Sequence, residues 1–222
     1  MSKISEAFKN RKKFVGFLTA GDPSLDKTEE FIITMEKAGA SVIEIGVPFS
    51  DPIAETPVVQ EANVRALSAE GGCTTDMIFD MLARVKDKVS VPLVLMTYLN
   101  PVFKYGYEAF MEKCSQTGVS GIIIPDMPYD ERDEILPMAE KYGVDVISLV
   151  APASKSRIRA HALGFHDEGT AQVQRARAHL VAFLHIYRDG FAREAGHIEG
   201  RLSLLHYAVH RDARTGFDEQ TV

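Results

Sequence analysis

The feature that most constrains the fold is a regular alternation of short apolar runs with segments of helical period. Five runs are rich in β-branched residues and almost continuously apolar: residues 14–19, 42–47, 91–98, 121–125 and 144–150. Continuous hydrophobicity is typical of parallel strands that are buried on both faces. The repeated strand–helix pattern therefore predicts an α/β protein with a parallel sheet, either open and doubly wound or closed as a barrel.

Helices are predicted between these runs, over residues 27–38, 76–85, 107–114 and 130–142. Asp26 and Thr75 are the expected N-caps of the first two, because their side-chain oxygens can accept hydrogen bonds from the first helical turn. Glycines 39, 118 and 143 stand where helices are expected to end.

Polar side chains concentrate where the predicted strands end, and this favours a barrel over an open sheet. The residues concerned are Asp22, Glu44, Asp51, Glu55, Tyr98, Asn100 and Asp126. In a (β/α)8 barrel the active site is built at the carboxyl ends of the strands and in the loops that follow them.

Glu44 and Glu55 are the strongest candidates for chemistry. Glu44 lies inside the apolar run 42–47, where burying a carboxylate is costly. Desolvation there is expected to raise its pKa, so that it could donate and accept a proton near neutral pH. The alternative is a structural carboxylate paired with a buried Lys or Arg. Glu55 follows in the next loop, and two carboxylates in different environments can divide acid and base roles. Asp51, before Pro52, is equally well explained as a turn residue.

Five segments carry a specific resemblance: GFLTAGDP (16–23), IEIGVPFSDPIAETPVVQ (43–60), YLNPVFKYG (98–106), GIIIPDMP (121–128) and ISLVAP (147–152). In their order and spacing over about the first 157 residues, they resemble tryptophan synthase α-subunits. The resemblance implies a (β/α)8 (TIM) barrel that cleaves indole-3-glycerol phosphate into indole and glyceraldehyde 3-phosphate. It also implies that Thr56 replaces a usual glycine, which would strain the loop if the position needs a positive φ.

The resemblance assigns roles residue by residue. Glu44 matches the general acid/base that protonates C3 of indole, and Glu55 matches the carboxylate that holds the indole N–H and stabilises positive charge on the ring. Phe17, Met96, Tyr98 and Ile123 match positions that line the apolar indole pocket, although packing in the barrel core would explain each equally well.

The resemblance further implies a partner, a pyridoxal-phosphate-dependent β-subunit, in an α2β2 complex. Pyridoxal phosphate belongs to that partner, so no cofactor is expected in this chain. The matching partner-contact positions are Asp51, Pro52, Asn100, Phe103, Asp126 and Pro128.

The composition changes abruptly near residue 158. Every proline, methionine and lysine lies at or before Lys155, and every histidine lies at or after His161. A frame shift, a fusion to foreign sequence and a genuine second module are the three explanations. We therefore expect residues 1–157 to form the first five or so βα units of the barrel. Residues 158–222 are an atypical tail, which could be a frame shift, a fusion or a divergent barrel closure.

The glycine- and serine-containing turns that bind the substrate phosphate in the family are not recognisable in the tail. Its histidines 179, 185, 206 and 210 invite a metal interpretation, but no HExxH pattern is present and we expect no metal site. The apolar runs 179–187 and 202–209 could be strands or helices. An incomplete phosphate site predicts impaired activity, and a non-catalytic remnant or a chimeric product remains the alternative.

Other function classes are disfavoured by composition. The formal net charge of −6 argues against nucleic acid as a partner, since phosphate binding relies on clustered Lys and Arg. No apolar run is long enough to span a membrane. The polar amino-terminal segment lacks the core of a secretory signal, and the two cysteines form no metal or disulfide pattern. A cytoplasmic protein with reduced thiols is the expectation.

Overall fold

The structure is a computed structural model that describes residues 2–8, 13–53, 55–150 and 180–182. Its strands are β1 (Val15–Thr19), β2 (Val42–Gly46), β3 (Leu93–Met96), β4 (Val119–Ile123), β5 (Asp145–Val150) and β6 (Leu180–Ala182). Its α-helices are α1 (Lys3–Ala7), α2 (Leu25–Lys37), α3 (Pro57–Ser68), α4 (Thr75–Val85), α5 (Leu99–Tyr105), α6 (Tyr107–Gln116) and α7 (Leu136–Tyr142). A 3₁₀ turn, Tyr129–Glu134, precedes α7.

The strands form one parallel sheet in the order β1-β2-β3-β4-β5-β6. Each strand therefore lies beside the next strand in the chain, as in the wall of a (β/α)8 barrel. A doubly wound sheet instead reverses its strand order at a switch point. The topology thus resolves the alternative that sequence pattern left open, in favour of the barrel-type wall.

Several local predictions need correction. Helix α2 begins at Leu25, so its N-cap is Ser24, whose hydroxyl accepts from the Lys27 amide at 3.2 Å, and Asp26 lies in the first turn. Helix α4 likewise begins one residue earlier than predicted, at Thr75, so its N-cap is Thr74, whose hydroxyl accepts from the Met77 amide. Strand β4 ends at Ile123, before Pro125, which cannot donate to a ladder.

The segment 130–142 was predicted as one helix, but it divides into the 3₁₀ turn and α7. Pro137 lies in the first turn of α7, where a proline starts a helix without losing a hydrogen bond. Helices α1, α3 and α5 were not predicted. Of the two tail runs, 179–187 contains β6, whereas 202–209 and histidines 179, 185, 206 and 210 lie outside the described residues.

The two faces of the sheet bury different sets of side chains. The outer face packs under the helices and contributes Ile43, Leu95 and Ile122 to a large apolar cluster that includes Phe110 of α6. The inner face forms a smaller cluster: Ile4, Val15, Val42, Val94, Ile123 and Ile147. Ile4 of α1 enters this cluster because Gly121 leaves room, since a Cβ on Gly121 would lie 2.7 Å from Cδ1 of Ile4.

One carboxylate of α2, that of Glu36, ties the helix layer to the segment that leads into β3. The Glu36 carboxylate accepts hydrogen bonds from the Ser90 amide at 2.7 Å, the Ser90 hydroxyl at 2.7 Å and the Val91 amide at 3.1 Å. Burial raises the pKa of Glu36, but these hydrogen bonds outweigh it and hold the pKa below its usual value. Over the residues that the structure describes, the helices are too short or too polar to cross a membrane.

Candidate active site

Glu44 lies at the centre of β2 on the inner face of the sheet. Only 2% of the residue is exposed, and its neighbours in the strand register are Phe17 on β1 and Val94 on β3. It borders a small cavity of about 20 Å³ whose other described lining residues are all apolar: Ile4, Phe8, Val15, Val42, Val94, Ile123 and Ile147. The sequence predicted a buried carboxylate in an apolar strand. In the structure Glu44 is buried, and it lies among apolar side chains on the inner face of the sheet.

Three of the predicted pocket residues, Phe17, Met96 and Ile123, lie on the inner face around Gly46, two residues after Glu44 on β2. Gly46, Met96 and Ile123 are consecutive register partners on β2, β3 and β4. The ring of Phe17 covers Gly46 so closely that a Cβ there would lie 2.8 Å from the Phe17 Cζ. Phe17 and Ile123 are buried and Met96 is half-buried. These side chains serve the packing of the barrel interior and at the same time form an apolar surface on the inner face near Glu44.

Glu55 lies in the loop between β2 and α3, and α3 holds it in two ways. Asn63 donates from Nδ2 to Oε2 of Glu55 at 2.7 Å, and Gln60 donates from Nε2 to the Glu55 carbonyl oxygen at 3.0 Å. The hydroxyl of Tyr98 donates a further hydrogen bond to the carboxylate. Burial raises the pKa of Glu55, and the hydrogen bonds from Tyr98 and Asn63 lower it by less. Glu55 is thus a desolvated carboxylate whose orientation is fixed.

Tyr98 links Glu55 to the end of β3. It is buried, stands immediately before α5, and packs against Phe49 with ring centroids 5.3 Å apart. The structure therefore brings Tyr98 and Glu55 together, and separately brings Phe17, Met96 and Ile123 together on the inner-face strands that flank Glu44.

Residues 4–165 match the family model for the tryptophan synthase alpha chain. The chain belongs to this family. The alpha chain of Lacticaseibacillus casei is 47% identical, over 71% of this chain and 59% of that relative. The alpha chain of Petrotoga mobilis is 46% identical, over 72% of this chain and 61% of that relative.

Solved structures agree. The crystal structure of the alpha chain from Legionella pneumophila has a TM-score of 0.67 at 34% identity, covering 73% of this chain and 63% of that one. A tryptophan synthase complex from Pyrococcus furiosus has a TM-score of 0.62 at 33% identity, covering 67% and 62%. The chain thus spans less than two thirds of the length of each of these four matched chains.

Thr56, where strain was expected, does not strain the loop. Its φ is −71° and its ψ is 155°, an extended conformation that any residue adopts, and it directly precedes α3. The strain that a positive φ would have caused at this position therefore does not arise.

The residues predicted to contact a partner lie in the loops after β2 and β4 and in helix α5 after β3. Asp51, Asn100 and Pro128 are exposed, Pro52 is half-buried, and Phe103 is 68% exposed. Asp126 differs from these, because its Oδ1 accepts a hydrogen bond from the Leu99 amide at 2.8 Å and so ties the loop after β4 to the start of α5.

Sequence reasoning missed three residues that contact Glu55 or Tyr98 in this candidate site: Asn63, Gln60 and Phe49. Asn63 and Gln60 were missed because α3 was not predicted. The available signals were Pro57, which suits the first position of a helix, and the polar residues that follow it within two turns. Among the residues that the structure describes, there is no cluster of His, Cys, Asp and Glu that could hold a metal ion.

Proposed function

We propose that this chain carries out the α-reaction of tryptophan biosynthesis, the retro-aldol-type cleavage of indole-3-glycerol phosphate to indole and glyceraldehyde 3-phosphate. The observation that carries the proposal is the buried Glu44 on an apolar inner face, together with a second carboxylate, Glu55, held in the loop above the same strand. The burial of Glu44 and the hydrogen bond to Glu55 support the proposal, because the reaction needs a proton donor in an apolar site and a carboxylate held in a fixed orientation.

In this proposal Glu44 moves the protons. Its carboxylic acid protonates C3 of the indole ring, which breaks the aromatic conjugation and weakens the bond from C3 to the glycerol chain. As that bond breaks, the hydroxyl on the adjacent carbon loses its proton and becomes the aldehyde. One carboxyl can give the first proton and take the second, so its protonation state is restored in each turnover.

Glu55 stabilises the charge that this protonation creates. Protonation at C3 leaves a positive charge on the indole nitrogen, and a carboxylate that accepts a hydrogen bond from the N–H stabilises it most in the transition state. Phe17, Met96, Tyr98 and Ile123 supply the apolar surface for the ring. The low polarity of this surface strengthens the interaction between the carboxylate and the ring.

We place residues 1–157 as the N-terminal part of the family barrel and residues 158–222 as an atypical tail. Because the family's phosphate-binding turns are not recognisable in that tail, we expect slow turnover with a raised KM. The chain is proposed to need no cofactor of its own and to work in the cytoplasm.

The deciding experiment is indole release from indole-3-glycerol phosphate by the whole chain, with and without a β-subunit. We expect turnover that Glu44→Gln abolishes, because the amide cannot donate the proton. Glu30→Gln, the same change at an exposed residue of α2, is the matched control and should leave turnover unchanged. Folded wild-type protein without turnover would contradict the catalytic proposal.

A second proposal is docking on a β-subunit, in an α2β2 complex in which the partner carries the pyridoxal phosphate. Large apolar side chains stand exposed at the ends of the strands, with Ile53 at 74% and Phe103 at 68%. Phe103→Ser should weaken co-purification with a β-subunit, whereas Val64→Ser, an equally exposed apolar residue (63%) on α3, should not. Equal retention of all three proteins would contradict docking through this edge. Docking without turnover would favour the non-catalytic remnant.

A further inference from the structure

Asn63 is an unusual residue for its position. It lies on the buried side of α3, where its neighbours along the helix face are Ala62 and Ala66, and only 4% of it is exposed. Asparagine is a weak helix former, and a buried amide without a partner destabilises the fold. An apolar residue would pack at this position with a lower desolvation cost. The presence of Asn63 is therefore explained by the group to which its amide donates.

That partner is the carboxylate of Glu55, a residue to which two side chains of α3 donate hydrogen bonds. The amide of Asn63 donates to Oε2 at 2.7 Å, and Gln60 one turn earlier donates to the Glu55 carbonyl oxygen at 3.0 Å. Helix α3 also contacts the loop after β1, because Arg65 binds both carboxylate oxygens of Asp22 at 2.9 and 2.8 Å. Side chains of a helix therefore set the place of a residue that belongs to a loop.

We propose that Asn63 is a positioning residue for the α-reaction, whose amide fixes the Glu55 carboxylate between α3 and the hydroxyl of Tyr98. The inference rests on the proposed function for its effect on turnover, but its structural part does not. Asn63 acts through Glu55 and has no role at the reacting atoms.

Two physical consequences follow from the hydrogen bond. It removes rotational freedom from a carboxylate that must face the indole N–H, and misplacement of a catalytic group by about 1 Å can cost on the order of 100-fold in rate. It also stabilises the ionised form against burial, because the amide of Asn63 and the hydroxyl of Tyr98 are the two groups that lower the pKa of Glu55. Loss of the Asn63 donor leaves Tyr98 as the remaining one of these two.

The test compares Asn63→Leu, which keeps the size but removes the donor, with Val64→Ala on the exposed side of the same helix. Carbon-13 NMR of glutamate-labelled whole chain follows the carboxyl carbon of Glu55, assigned with Glu55→Gln. We expect a higher titration midpoint for Glu55 in Asn63→Leu and an unchanged one in Val64→Ala. In turnover we expect kcat to fall about tenfold or more while KM stays within about threefold.

The outcomes separate the two proposals. An unchanged midpoint in a folded Asn63→Leu protein overturns the inference, and so does an equal change in Val64→Ala, which would indicate a general effect of α3. If the wild-type chain shows no turnover, the proposed function fails while the titration still decides the role of Asn63. If Asn63→Leu does not fold, Asn63→Ser, whose hydroxyl is too short to reach Oε2, carries the same expected shift.

Discussion

The outer and inner faces of the sheet are built from the same strands but serve different ends. Alternate residues of β2 illustrate this: Ile43 and Ile45 point outward into the helix layer and are fully buried, whereas Val42 and Glu44 point inward. The outer cluster includes the fully buried side chains of Phe110, Met81 and Leu82. The inner face has a small cluster, a cavity and a buried carboxylate.

Along a single strand, the outward-facing residues thus contribute mainly to stability, and the inward-facing residues are those proposed to take part in the reaction. Dense apolar packing supplies most of the favourable free energy of folding, and it is concentrated where the helices cover the sheet. The inner face tolerates a carboxyl group, a glycine and a small cavity because the outer face already holds the strands together. We therefore expect substitutions on the outer face to alter the free energy of unfolding, and those on the inner face to alter ligand binding and proton equilibria more than stability.

Phe110→Ala should have the largest effect on stability. Phe110 is fully buried in the outer cluster, with its ring 5.3 Å from that of Phe79 and 5.7 Å from that of Tyr105. Its removal leaves a cavity, and we expect the free energy of unfolding to fall by about 3–5 kcal/mol. Urea denaturation followed by circular dichroism measures it. Phe103→Ala, at an exposed ring on α5, is the control and should change stability by less than about 0.5 kcal/mol.

Equal losses from Phe110→Ala and Phe103→Ala would break the comparison, because they would show that burial in the outer cluster does not decide stability. A loss confined to Phe110→Ala, with indole binding by the remaining folded protein unchanged, would sharpen it. The binding measurement matters because Phe110 belongs to the outer cluster and not to the inner one.

Gly46→Ala tests the inner face by filling space rather than emptying it. The new methyl group would lie 2.8 Å from Cζ of Phe17, so the ring must move. Overpacking of this kind destabilises by about 1–3 kcal/mol. We also expect weaker indole binding, measured by calorimetry, since Phe17 is a proposed pocket residue.

The double variant Gly46→Ala/Phe17→Leu provides the control for Gly46→Ala. Leucine is shorter than the phenylalanine ring, so the methyl group at position 46 no longer meets a ring atom. The stability loss of the double variant should be smaller than the sum of the two single losses, which a double-mutant cycle measures. Strict additivity would contradict the overlap of Phe17 with position 46.

Much of this division could be predicted from the sequence, because strand hydrophobicity and an isolated acid are visible without the fold. The five apolar runs correspond to β1 to β5, and Glu44 stood out as a carboxylate within one of them. The contact between Glu55 and Asn63 could not be predicted, because it depends on α3, whose apolar periodicity is weak. The position of Ile4 on the inner face could not be predicted either, since the space for its side chain exists because Gly121 has no Cβ.

The two N-cap predictions were wrong for a more local reason. Ser24 and Thr74 each lie next to other residues that can cap a helix, and the choice between them depends on which residue takes the extended backbone conformation. Side-chain chemistry alone does not decide this, because serine, threonine and aspartate are all good N-caps.

The smallest expected effect concerns the carboxylates themselves. Burial raises the pKa of Glu55, so above its ordinary value of 4.5 the folded state keeps a proton that the unfolded state has lost. The free energy of unfolding therefore falls as pH rises from 4.5 through the raised pKa of the folded state. Glu55→Gln has no such proton, so its stability relative to wild type should increase between pH 4 and pH 7, as urea denaturation at both values would show.

Glu29 of α2 is the matched carboxylate in the outer helix layer, and its trend should be the opposite. The hydrogen bond from Lys88, opposed by burial and supported by Arg84, holds the pKa of Glu29 below its usual value. The stability that Glu29 contributes is therefore present above pH 4.5 and is lost as pH falls through the lowered pKa. Glu29→Gln should thus lose stability relative to wild type between pH 4 and pH 7. Parallel trends in Glu55→Gln and Glu29→Gln would contradict the contrast between a desolvated carboxylate beside the site and a carboxylate paired in the outer helix layer.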